Sequence, residues 1–318
     1  MAAGKRCLQI ARTWAAERVQ WGAPVGKHDA VAQMLGSMAA STFAMEAISE
    51  LCSLLADRHD YDIRLEAAIA KLYNSEAGWR IVDDTVQIRG GRGYETARSL
   101  AARGEPPIPV ERIMRDFRIN LIFEGSSEIM HLFIAREAVD RHLKVAGDLV
   151  SPDAPRGRKA AAALRAGLFY ATWYPARWLG WGHWPRYSSF GRLATHLRYV
   201  DRTSRRLARG LFHAMARFGP KLEKRQAVLG RLVEIGAELL AITAACSRAQ
   251  AMVTKDPANR GPVELADLFS RQARRRVEER FAAVFDNDDV AAYTVAQQVI
   301  RNEHTWLEQG MARLADER

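Results

Sequence analysis

Cysteine is scarce in this chain, and so are apolar runs that are free of charge. Only Cys7, Cys52 and Cys246 occur among 318 residues, and their wide spacing matches no metal-binding or redox motif. A small domain stabilised by disulfides would need an even and denser set of cysteines. The cysteine content therefore predicts a reducing compartment and gives no support to a secreted protein.

Neither a secretory leader nor a membrane-spanning run is found in the sequence. The first residues include Lys5, Arg6 and Arg12 and lack the apolar core of a signal peptide. No window of 18 residues is both apolar and uncharged, so no transmembrane helix is predicted. We therefore expect a cytoplasmic protein, with a peripheral position at the inner face of the membrane as the open alternative.

Motifs for metal or nucleotide chemistry are missing as well. The sequence contains no glycine-rich phosphate loop, no zinc cluster and no nucleophile motif. A di-metal helix bundle needs two Glu-x-x-His pairs with further glutamates. Only Glu128 and His131 have that spacing, so no metal site is predicted.

What the sequence does contain is helical periodicity. Hydrophobic residues make up 48% of the chain, which is enough for an ordered core, and their spacing predicts helices almost throughout. No convincing alternation of the strand type is present. The predicted fold class is all-α, with a four-helix bundle over residues 1–147, a linker with a basic, tryptophan-rich segment over 148–191, and a second helical bundle over 192–318.

Breaks separate the predicted helices of the first bundle. After an opening helix and a break at residues 22–26, helices are predicted over about 29–58, from the next turn to about 87, and over 110–145 with an interruption near 124. The intervening "GGRGYETARSLAARGEPPIP" is rich in glycine and proline and is predicted to be a long loop.

Basic charge is concentrated in one segment. The chain has a formal net charge of +10, and residues 155–225 contain 16 Lys/Arg against two acids, Asp201 and Glu223. The same segment holds four of the eight tryptophans, at positions 173, 178, 181 and 184. Three interpretations stay open: a packed helix with a solvated basic face, contact of residues 156–225 with an anionic membrane surface, and non-specific binding of nucleic acid, which is not expected.

One stretch interrupts an otherwise apolar helical pattern. In "INLIFEGSSEIMHLFIARE", residues 119–137, the apolar run is broken by Glu124, Gly125, Ser126 and Ser127. A buried charge is costly unless it is paired or functional, and a glycine costs about 1 kcal/mol inside a helix. The serines compete for backbone hydrogen bonds. The pattern predicts two helical pieces joined at a polar elbow.

Four blocks resemble the C-terminal domain of the acyl-CoA dehydrogenase family. They are "RVQWGAPVGKHDAVAQML", "AAIAKLYNSEAGW", "QIRGGRGY" and "VERIMRDFRINLIFEGSSEI". These are similar to the family's Arg-x-Gln-Phe-Gly block, its Ala-Lys helix, its glycine turn and its Glu-Gly elbow. With the flanking helices the resemblance covers about residues 4–145. Any block alone is a weak signal, and the correct order of all four makes the signal strong.

The resemblance implies FAD-dependent α,β-dehydrogenation of long-chain acyl-CoA thioesters in fatty-acid β-oxidation. The family's elbow glutamate removes the α-proton, which assigns the role of catalytic base to Glu124. Gly125 would leave room for the thioester, and Ser126, Ser127 and Glu128 would contact FAD. Such a base is expected to be buried beside an apolar ligand, because desolvation makes a carboxylate more basic.

In the family, further FAD contacts come from a neighbouring subunit. The resemblance assigns them to Arg18 and Gln20 in the first block and to the glycine turn, which consists of Gln87, Ile88, Arg89, Gly90 and Gly91. An arginine and a turn with exposed N–H groups suit a pyrophosphate. The implied partners are the acyl-CoA substrate, a second copy of the chain or a separate N-terminal half, and an acceptor of the electron-transfer flavoprotein type.

The second half of the chain resembles the extra C-terminal helical domain of the very-long-chain branch, most clearly in "LEKRQAVLGRLVEIGAELLAITAACSRA". In the family an N-terminal helical domain and a middle β-domain precede this bundle, so the chain is expected to be a fragment, one product of a split gene or a relic. The alternative from a different class is a non-catalytic helical scaffold, whose basic, tryptophan-rich surface binds membrane or nucleic acid.

Overall fold

The computed structural model describes residues 1–58, 60–150, 153–182 and 184–310, and in this part of the chain nearly all regular structure is helical. The first half contains α1 (Ala2–Glu17), α2 (Asp29–Ala56), α3 (Arg64–Arg89), α4 (Gly91–Tyr94), α5 (Ala97–Ala102), α6 (Val110–Arg118) and α7 (Ser127–Val150). The second half contains α8 (Arg156–Leu179), α9 (Ala194–Phe218), α10 (Gln226–Lys255), α11 (Gly261–Ala283) and α12 (Asp289–Ile300). The all-α prediction is confirmed.

Helix α3 lies at the centre of the first bundle, where it contacts α1, α2, α6 and α7. Its buried side includes Ile69, Leu72, Ile81 and Val82. Residues three or four apart share one helix face, and each such side chain contributes about 1.5–3 kcal/mol when it is fully buried. The predicted ends of α2 and α3 lie within two residues of the observed ends.

The stretch between α3 and α6 is not the continuous loop that its glycine and proline content predicted. Helices α4 and α5 lie within it, and the Thr96 hydroxyl caps α5 by accepting the Ser99 N–H at 3.2 Å. Arg92 and Glu105 form an ion pair of 2.8 Å across the stretch. The loop prediction was wrong because low helix propensity is overridden where tertiary contacts hold a short helix.

A short hairpin follows α1. Strand β1 (Val19–Gln20) pairs antiparallel with β2 (Ala23–Pro24). The turn consists of Trp21 and Gly22, with φ angles of 47° and 77°. Strands of two residues are too short for the alternation by which a sequence indicates a strand, which is why none was predicted.

Helix α8 occupies most of the segment that was predicted to be a linker. It packs between α7 and α9, where an aromatic cluster surrounds the buried ring of His142. The His142 Nδ1 lies 2.9 Å from the Tyr170 hydroxyl, and its ring centroid lies 5.0 Å from that of Trp173. The boundary predicted at residue 147 falls inside α7, and the one at 191 falls in a 3-10 turn, Ser188–Leu193.

The two predicted bundles share one hydrophobic core. Helix α10 packs against α9 and α11 of the second half and also against α2 and α7 of the first. Tyr73 of α3 meets Phe269 of α11 edge to face, with ring centroids 6.4 Å apart. Buried apolar residues from Cys7 to Val284 form a single contiguous cluster. The second half is therefore packed directly onto the helix bundle that carries the elbow.

Helix α2 is long and apolar enough, by length and composition alone, to cross a membrane. Half of its most apolar window is buried inside the protein, where Met38, Phe43, Met45 and Ile48 join the core. The central helix of a helical bundle meets the same criteria, because a helix that is apolar on most sides is usually buried in protein or in lipid.

Helix α12 differs from the preceding helices because none of its residues is buried. Its first turn is fixed by Arg231, whose guanidinium donates to both carboxylate oxygens of Asp289 at 2.6 and 2.7 Å. Its exposed large apolar side chains are Val290, Tyr293, Val295, Val299 and Ile300.

Candidate functional site

The elbow predicted around Glu124 is present between α6 and α7. A 3-10 turn, Ile119–Leu121, leads into Glu124 and Gly125, whose φ angles are +53° and +89°. Left-handed backbone costs a residue with a side chain about 1–2 kcal/mol. Such strain is found mainly where the surrounding structure maintains it, often at functional sites. The chain therefore enters α7 through a constrained turn that carries the predicted base.

Helix α3 holds this elbow in place. The Lys71 ammonium donates a short hydrogen bond to the Gly125 carbonyl, and the Ser127 hydroxyl donates to Glu76 Oε1 at 2.5 Å. Hydrogen bonds that involve a charged group are stronger than neutral ones. Lys71 and Glu76 lie in the "AAIAKLYNSEAGW" block, but sequence reasoning gave them no role. The signal that could have indicated this role is a lysine and a glutamate in a sequence block that is otherwise largely apolar.

Two close contacts require glycine. A Cβ on Gly125 would lie 2.7 Å from the sulfur of Met130, and a Cβ on Gly78 would lie 2.4 Å from Cζ of Phe117. The first contact packs the elbow against the start of α7. The second lets α6 approach α3 closely, since only a residue without a side chain leaves room for the Phe117 ring.

The Glu124 side chain is exposed, which corrects the expectation of a buried base. Its carboxylate has no hydrogen bond or ion pair with the residues that the structure describes. Large apolar side chains that precede and follow it in the sequence are also exposed, and we call them the apolar rim: Ile119, Ile122, Phe123, Ile129 and Phe133. Contiguous exposed apolar surface marks an interaction site or a ligand groove. Desolvation of Glu124 therefore depends on a second surface laid over this patch.

The elbow also presents unused backbone donors. Neither the Glu124 N–H nor the Gly125 N–H donates to another of the described residues. Buried backbone donors are nearly always paired, so donors left open on a constrained turn are available to a ligand. Chemically, the elbow offers a carboxylate and adjacent N–H groups that could bind an oxygen bearing partial negative charge.

The residues after the elbow differ in what they can offer a cofactor. Ser127 is buried and its hydroxyl proton is already donated to Glu76, so its predicted role as a donor to flavin is not supported by the geometry. The pKa of Glu128 is lowered by its own backbone N–H and then by the Ser126 hydroxyl. Ser126 also accepts the Ile129 N–H at 3.4 Å. Ser126 and Glu128 remain at the surface as candidates.

The second predicted group lies at the far end of α3. The guanidinium carbons of Arg89 and Arg18 lie 4.8 and 5.9 Å from the ring centroid of Trp14, which is within the range of cation–π attraction. Burial lowers the pKa of Arg89, and its Nε has no hydrogen-bond partner among the described residues. Gln20 is exposed in the hairpin, where its carbonyl lies 3.0 Å from His28 Nε2.

The glycine turn is open on its outer side. Gly90 has φ +60° and ψ −141°, a conformation that residues with a Cβ avoid. A Cβ on Gly90 or on Gly91 would meet nothing within 4 Å, so the backbone there is accessible. Gln87 is exposed, whereas Ile88 is a buried core residue. The predicted FAD contact of Ile88 can therefore involve only its backbone and not its side chain.

Helix α3 separates the two groups. The elbow is held at Lys71 and Glu76, and the second group lies at Arg89, 13 residues after Glu76. At a rise of 1.5 Å per residue this corresponds to about 20 Å. The structure thus brings Arg18 together with the glycine turn and keeps both apart from Glu124. That separation is compatible with the expectation that one chain contributes to two cofactor sites.

The basic segment lies on α8, the turn after it, and α9. Helix α9 is a packed helix, since Leu193 and Leu197 are buried and Val200, Leu207, Leu211 and Met215 pack against the core. Arg206 faces α11, where it forms an ion pair of 2.6 Å with Glu278 and lies 3.9 Å from the Phe281 ring centroid. The side chain of Trp181 lies outside the described part of the structure.

Metal and thiol chemistry find no support in the described residues. No group of three or more His, Cys, Asp or Glu side chains there could hold a metal ion. The three cysteines are free, and burial raises the pKa of Cys246 to about 11. A thiol with a raised pKa is a poor nucleophile because the thiolate is the reactive form.

Comparison with known proteins extends the match to nearly the whole chain. Residues 1–139 match the family model for the acyl-CoA dehydrogenase C-terminal domain. The chain is 55% identical over 309 residues to the probable acyl-CoA dehydrogenase FadE10 of Mycobacterium tuberculosis, which covers 96% of this chain and 48% of that protein. It is 27% identical over 284 residues to the human mitochondrial very long-chain specific acyl-CoA dehydrogenase, covering 85% of this chain and 40% of that protein.

A solved structure shows the same fold. The acyl-CoA dehydrogenase from Bacillus anthracis, crystallised with FAD, aligns with a TM-score of 0.67 at 21% sequence identity, over 92% of this chain and 49% of that one. The chain spans about half the length of the curated relatives it matches. The ordered motifs and the matched model agree that residues 1–139 form an acyl-CoA dehydrogenase C-terminal domain, and nearly the whole chain is similar in sequence and fold to proteins of that family.

Proposed function

We propose that this chain supplies the catalytic base and part of the FAD site for α,β-dehydrogenation of long-chain acyl-CoA thioesters in fatty-acid β-oxidation. The observation that carries the proposal is the elbow, where Glu124 stands in left-handed backbone next to a carbonyl held by Lys71. The exposed apolar rim lies on both sides of this residue in the sequence. Similarity to the family supplies the reaction class.

Glu124 would accept the proton from the α-carbon of the thioester. A carbon acid of this kind needs a base that is close, oriented and shielded from water. The rigid elbow provides the orientation, and the apolar rim provides one wall of a water-poor site. Bound FAD would accept the hydride, with its two electrons, from the β-carbon. The proton and the hydride would thus leave from adjacent carbons and form the double bond.

The N–H groups of the elbow would bind the thioester oxygen. Negative charge develops on that oxygen as the α-proton leaves, and preorganised donors stabilise such charge strongly. The Glu124 N–H is open for this purpose among the described contacts. Gly125 would let the thioester approach the backbone, because no side chain stands in the way.

The residues at the far end of α3 fit the phosphate side of FAD. The Arg18 guanidinium lies near Trp14, and the backbone at Gly90 and Gly91 is accessible to a ligand. The Nε–H of Arg89 has no acceptor among the described residues and could donate to an oxygen of the cofactor. An arginine fork and exposed N–H groups are typical pyrophosphate ligands. Ser126 and Glu128, with the exposed Gln20 and Gln87, would add polar contacts.

Three further proposals concern partners and location. A second copy of the chain, or a separate N-terminal half, would cover the apolar rim of the elbow, and an electron-transfer flavoprotein-type acceptor would reoxidise the cofactor. Residues 156–225 would lie against an anionic membrane surface on the cytoplasmic side, supported by the exposed side chains of Leu164, Leu168 and Trp178 amid the positive charge.

The decisive test places the chain in a complete enzyme. We would replace the corresponding half of the M. tuberculosis relative with residues 1–318 and follow bleaching of bound FAD by a long-chain acyl-CoA. Glu124→Gln is expected to retain the flavin absorbance and lose bleaching, because the amide cannot accept the proton. Glu137→Gln, on the same helix but away from the elbow, serves as the matched control. Persistent bleaching by Glu124→Gln would place the base elsewhere, and a chimera without FAD would favour the scaffold alternative.

A further inference from the structure

A concave surface outside the proposed active site lies where α8 ends against α9. We call it the arginine groove, a cavity of about 410 Å³ lined by five arginines, two tryptophans (Trp178 and Trp184) and the carboxylate of Asp201. It is independent of the elbow, since it is built by other helices and requires neither FAD nor acyl-CoA. Nothing in the dehydrogenation chemistry gives it a role.

Four of its arginines form a single stripe on α9. Positions 198, 202, 205 and 209 follow spacings of four, three and four residues, which places the side chains on one helix face. Like charges at such spacings destabilise a helix by about 0.2–0.5 kcal/mol per pair. With Arg177, five arginines line the groove against one carboxylate, that of Asp201. An unbalanced stripe of this kind favours an anionic ligand.

One of the five arginines is paired with a carboxylate, and the other four form no ion pair with the residues that the structure describes. Arg205 pairs with Asp201 at 2.9 Å, and Arg198 donates to the Arg186 carbonyl at 3.0 Å, an uncharged acceptor. Arg202 makes no hydrogen bond or ion pair with any of the described residues. The Arg177 Nε is buried without an acceptor there. An unpaired buried donor is costly, and a bound anion would satisfy it.

Tryptophan side chains form the walls. Arg209 lies over the Trp178 ring, 3.8 Å from its centroid, while Trp178 and Trp184 remain 59% and 72% exposed. The Trp184 indole nitrogen would be 3.2 Å from a Cβ on Gly180, so that glycine admits the ring into the turn. Exposed indole faces beside guanidinium groups suit a ligand with a flat or apolar part next to its charge.

The size of the groove narrows the ligand class. A cavity of about 410 Å³ holds a small group, whereas a nucleic acid would need a longer basic track. Guanidinium groups remain charged at any physiological pH and match phosphate oxygens in forked geometry. We propose that the arginine groove binds a phosphate ester whose attached flat or apolar group lies against Trp178 and Trp184. The source is either a soluble nucleotide or the headgroup of an anionic phospholipid.

Calorimetry and vesicle flotation test this proposal on the 318-residue chain. The probes are ADP and inorganic pyrophosphate in solution, and vesicles of phosphatidylcholine with or without phosphatidylglycerol, all at 150 mM salt. The double variant Arg198→Gln/Arg202→Gln is expected to weaken binding about tenfold or more. Trp184→Ala is expected to remove any preference for ADP over pyrophosphate. Because Arg198 and Arg202 are both exposed, the double variant is expected to fold like the wild type, and circular dichroism checks that it does.

The matched control is Arg158→Gln/Lys221→Gln, which removes the same charge from exposed positions of the basic segment outside the groove. Binding of a soluble probe that only the groove variant loses supports a nucleotide. Flotation with phosphatidylglycerol vesicles that only the groove variant loses supports a lipid headgroup. Absence of binding to every probe, or equal losses in both double variants, overturns the proposal, since diffuse attraction would then explain any binding.

Discussion

The Lys71 ammonium donates a hydrogen bond to the Gly125 carbonyl across 54 residues of sequence. This contact ties the elbow that carries Glu124 to the middle of the central helix of the first bundle. Together with the hydrogen bond from Ser127 to Glu76, it means that α3 fixes the orientation of the elbow that carries the candidate base.

Lys71→Met should loosen the elbow, because the replacement keeps the length of the side chain and removes its donor. We expect the hydrogen-bonded amides that flank the elbow, those of Phe123 and Met130, to exchange hydrogen faster. In the chimeric enzyme we expect FAD bleaching to slow by up to about 100-fold, the effect of misplacing a catalytic group by about 1 Å. Hydrogen exchange by mass spectrometry and single-turnover kinetics provide the two measurements.

Lys255→Met removes a lysine from the exposed end of α10 and is the control for both measurements. It should change neither exchange at the elbow nor the bleaching rate. Unchanged exchange in Lys71→Met would show that the elbow is rigid without this bond.

Gly90→Ala and Gly91→Ala form a matched pair. Neither new methyl group would touch anything within 4 Å, but Gly90 alone has a positive φ angle. We therefore expect Gly90→Ala to lower the free energy of unfolding by about 1–3 kcal/mol through backbone strain. Gly91→Ala begins a helix with ordinary dihedral angles and should change it by less than about 0.5 kcal/mol.

Urea titration of the two glycine variants measures the difference directly. Equal midpoints would contradict the assigned backbone conformation at Gly90. The same pair, placed in the chimeric enzyme, reports on FAD retention, since only Gly90→Ala should alter the shape of the turn.

The buried ring of His196 should make stability depend on pH. Burial lowers the pKa of His196, although a hydrogen bond from its Nε2 to Asp267 at 2.9 Å acts in the opposite direction. The charged groups that face the pair are Arg192, Arg271 and Arg274. The unfolded chain therefore binds the proton more readily as pH falls below the ordinary value of 6.5.

It follows that stability is complete above pH 6.5 and decreases as pH falls toward the lowered pKa of the folded state. We expect the Tm to decrease between pH 7.5 and 5.5, and to decrease less in His196→Gln. His142, whose pKa is also lowered by burial and then by Arg141, accounts for part of the remaining change. His213→Gln, at an exposed histidine, is the control, and an identical slope in His196→Gln and wild type would refute the assignment.

The pKa of Asp267 does not enter this pH window. Burial raises it, but hydrogen bonds from His196 and Arg192 act more strongly together and lower it below the ordinary 3.8. Its contribution to stability is present above that value and is lost only as pH falls through the lowered pKa. Acid unfolding well below pH 4 is where it should be observed.

The sequence predicted the helices and the elbow because both depend on local order. Apolar spacing placed α2 and α3 to within two residues, and Glu124 stands in the turn that was predicted between two helices. What it could not predict is which side chains meet across helices. Lys71 and Glu76 were in a quoted block, yet their contact with the elbow depends on how α3 packs.

Two further differences have the same origin. The glycines and prolines of "GDLVSPDAPRG", residues 147–157, suggested a linker, but α8 begins directly after Pro155, which stands at the N-cap position of that helix. Arg206 was grouped with its basic neighbours, although it faces α11 and pairs with Glu278. Composition predicts that charges are present, and only the helix orientation shows which of them share a surface.

The shared core of the two helical sets separates ancestry from folding. The family model ends at residue 139, whereas buried contacts run on without interruption through α10 and α11. If residues 1–147 were expressed alone, the surface that α10 covers would be exposed to water. Calorimetry of the whole chain should therefore show one unfolding transition and not two. The segment that the family model matches is thus shorter than the part of the chain that we expect to unfold as one cooperative unit.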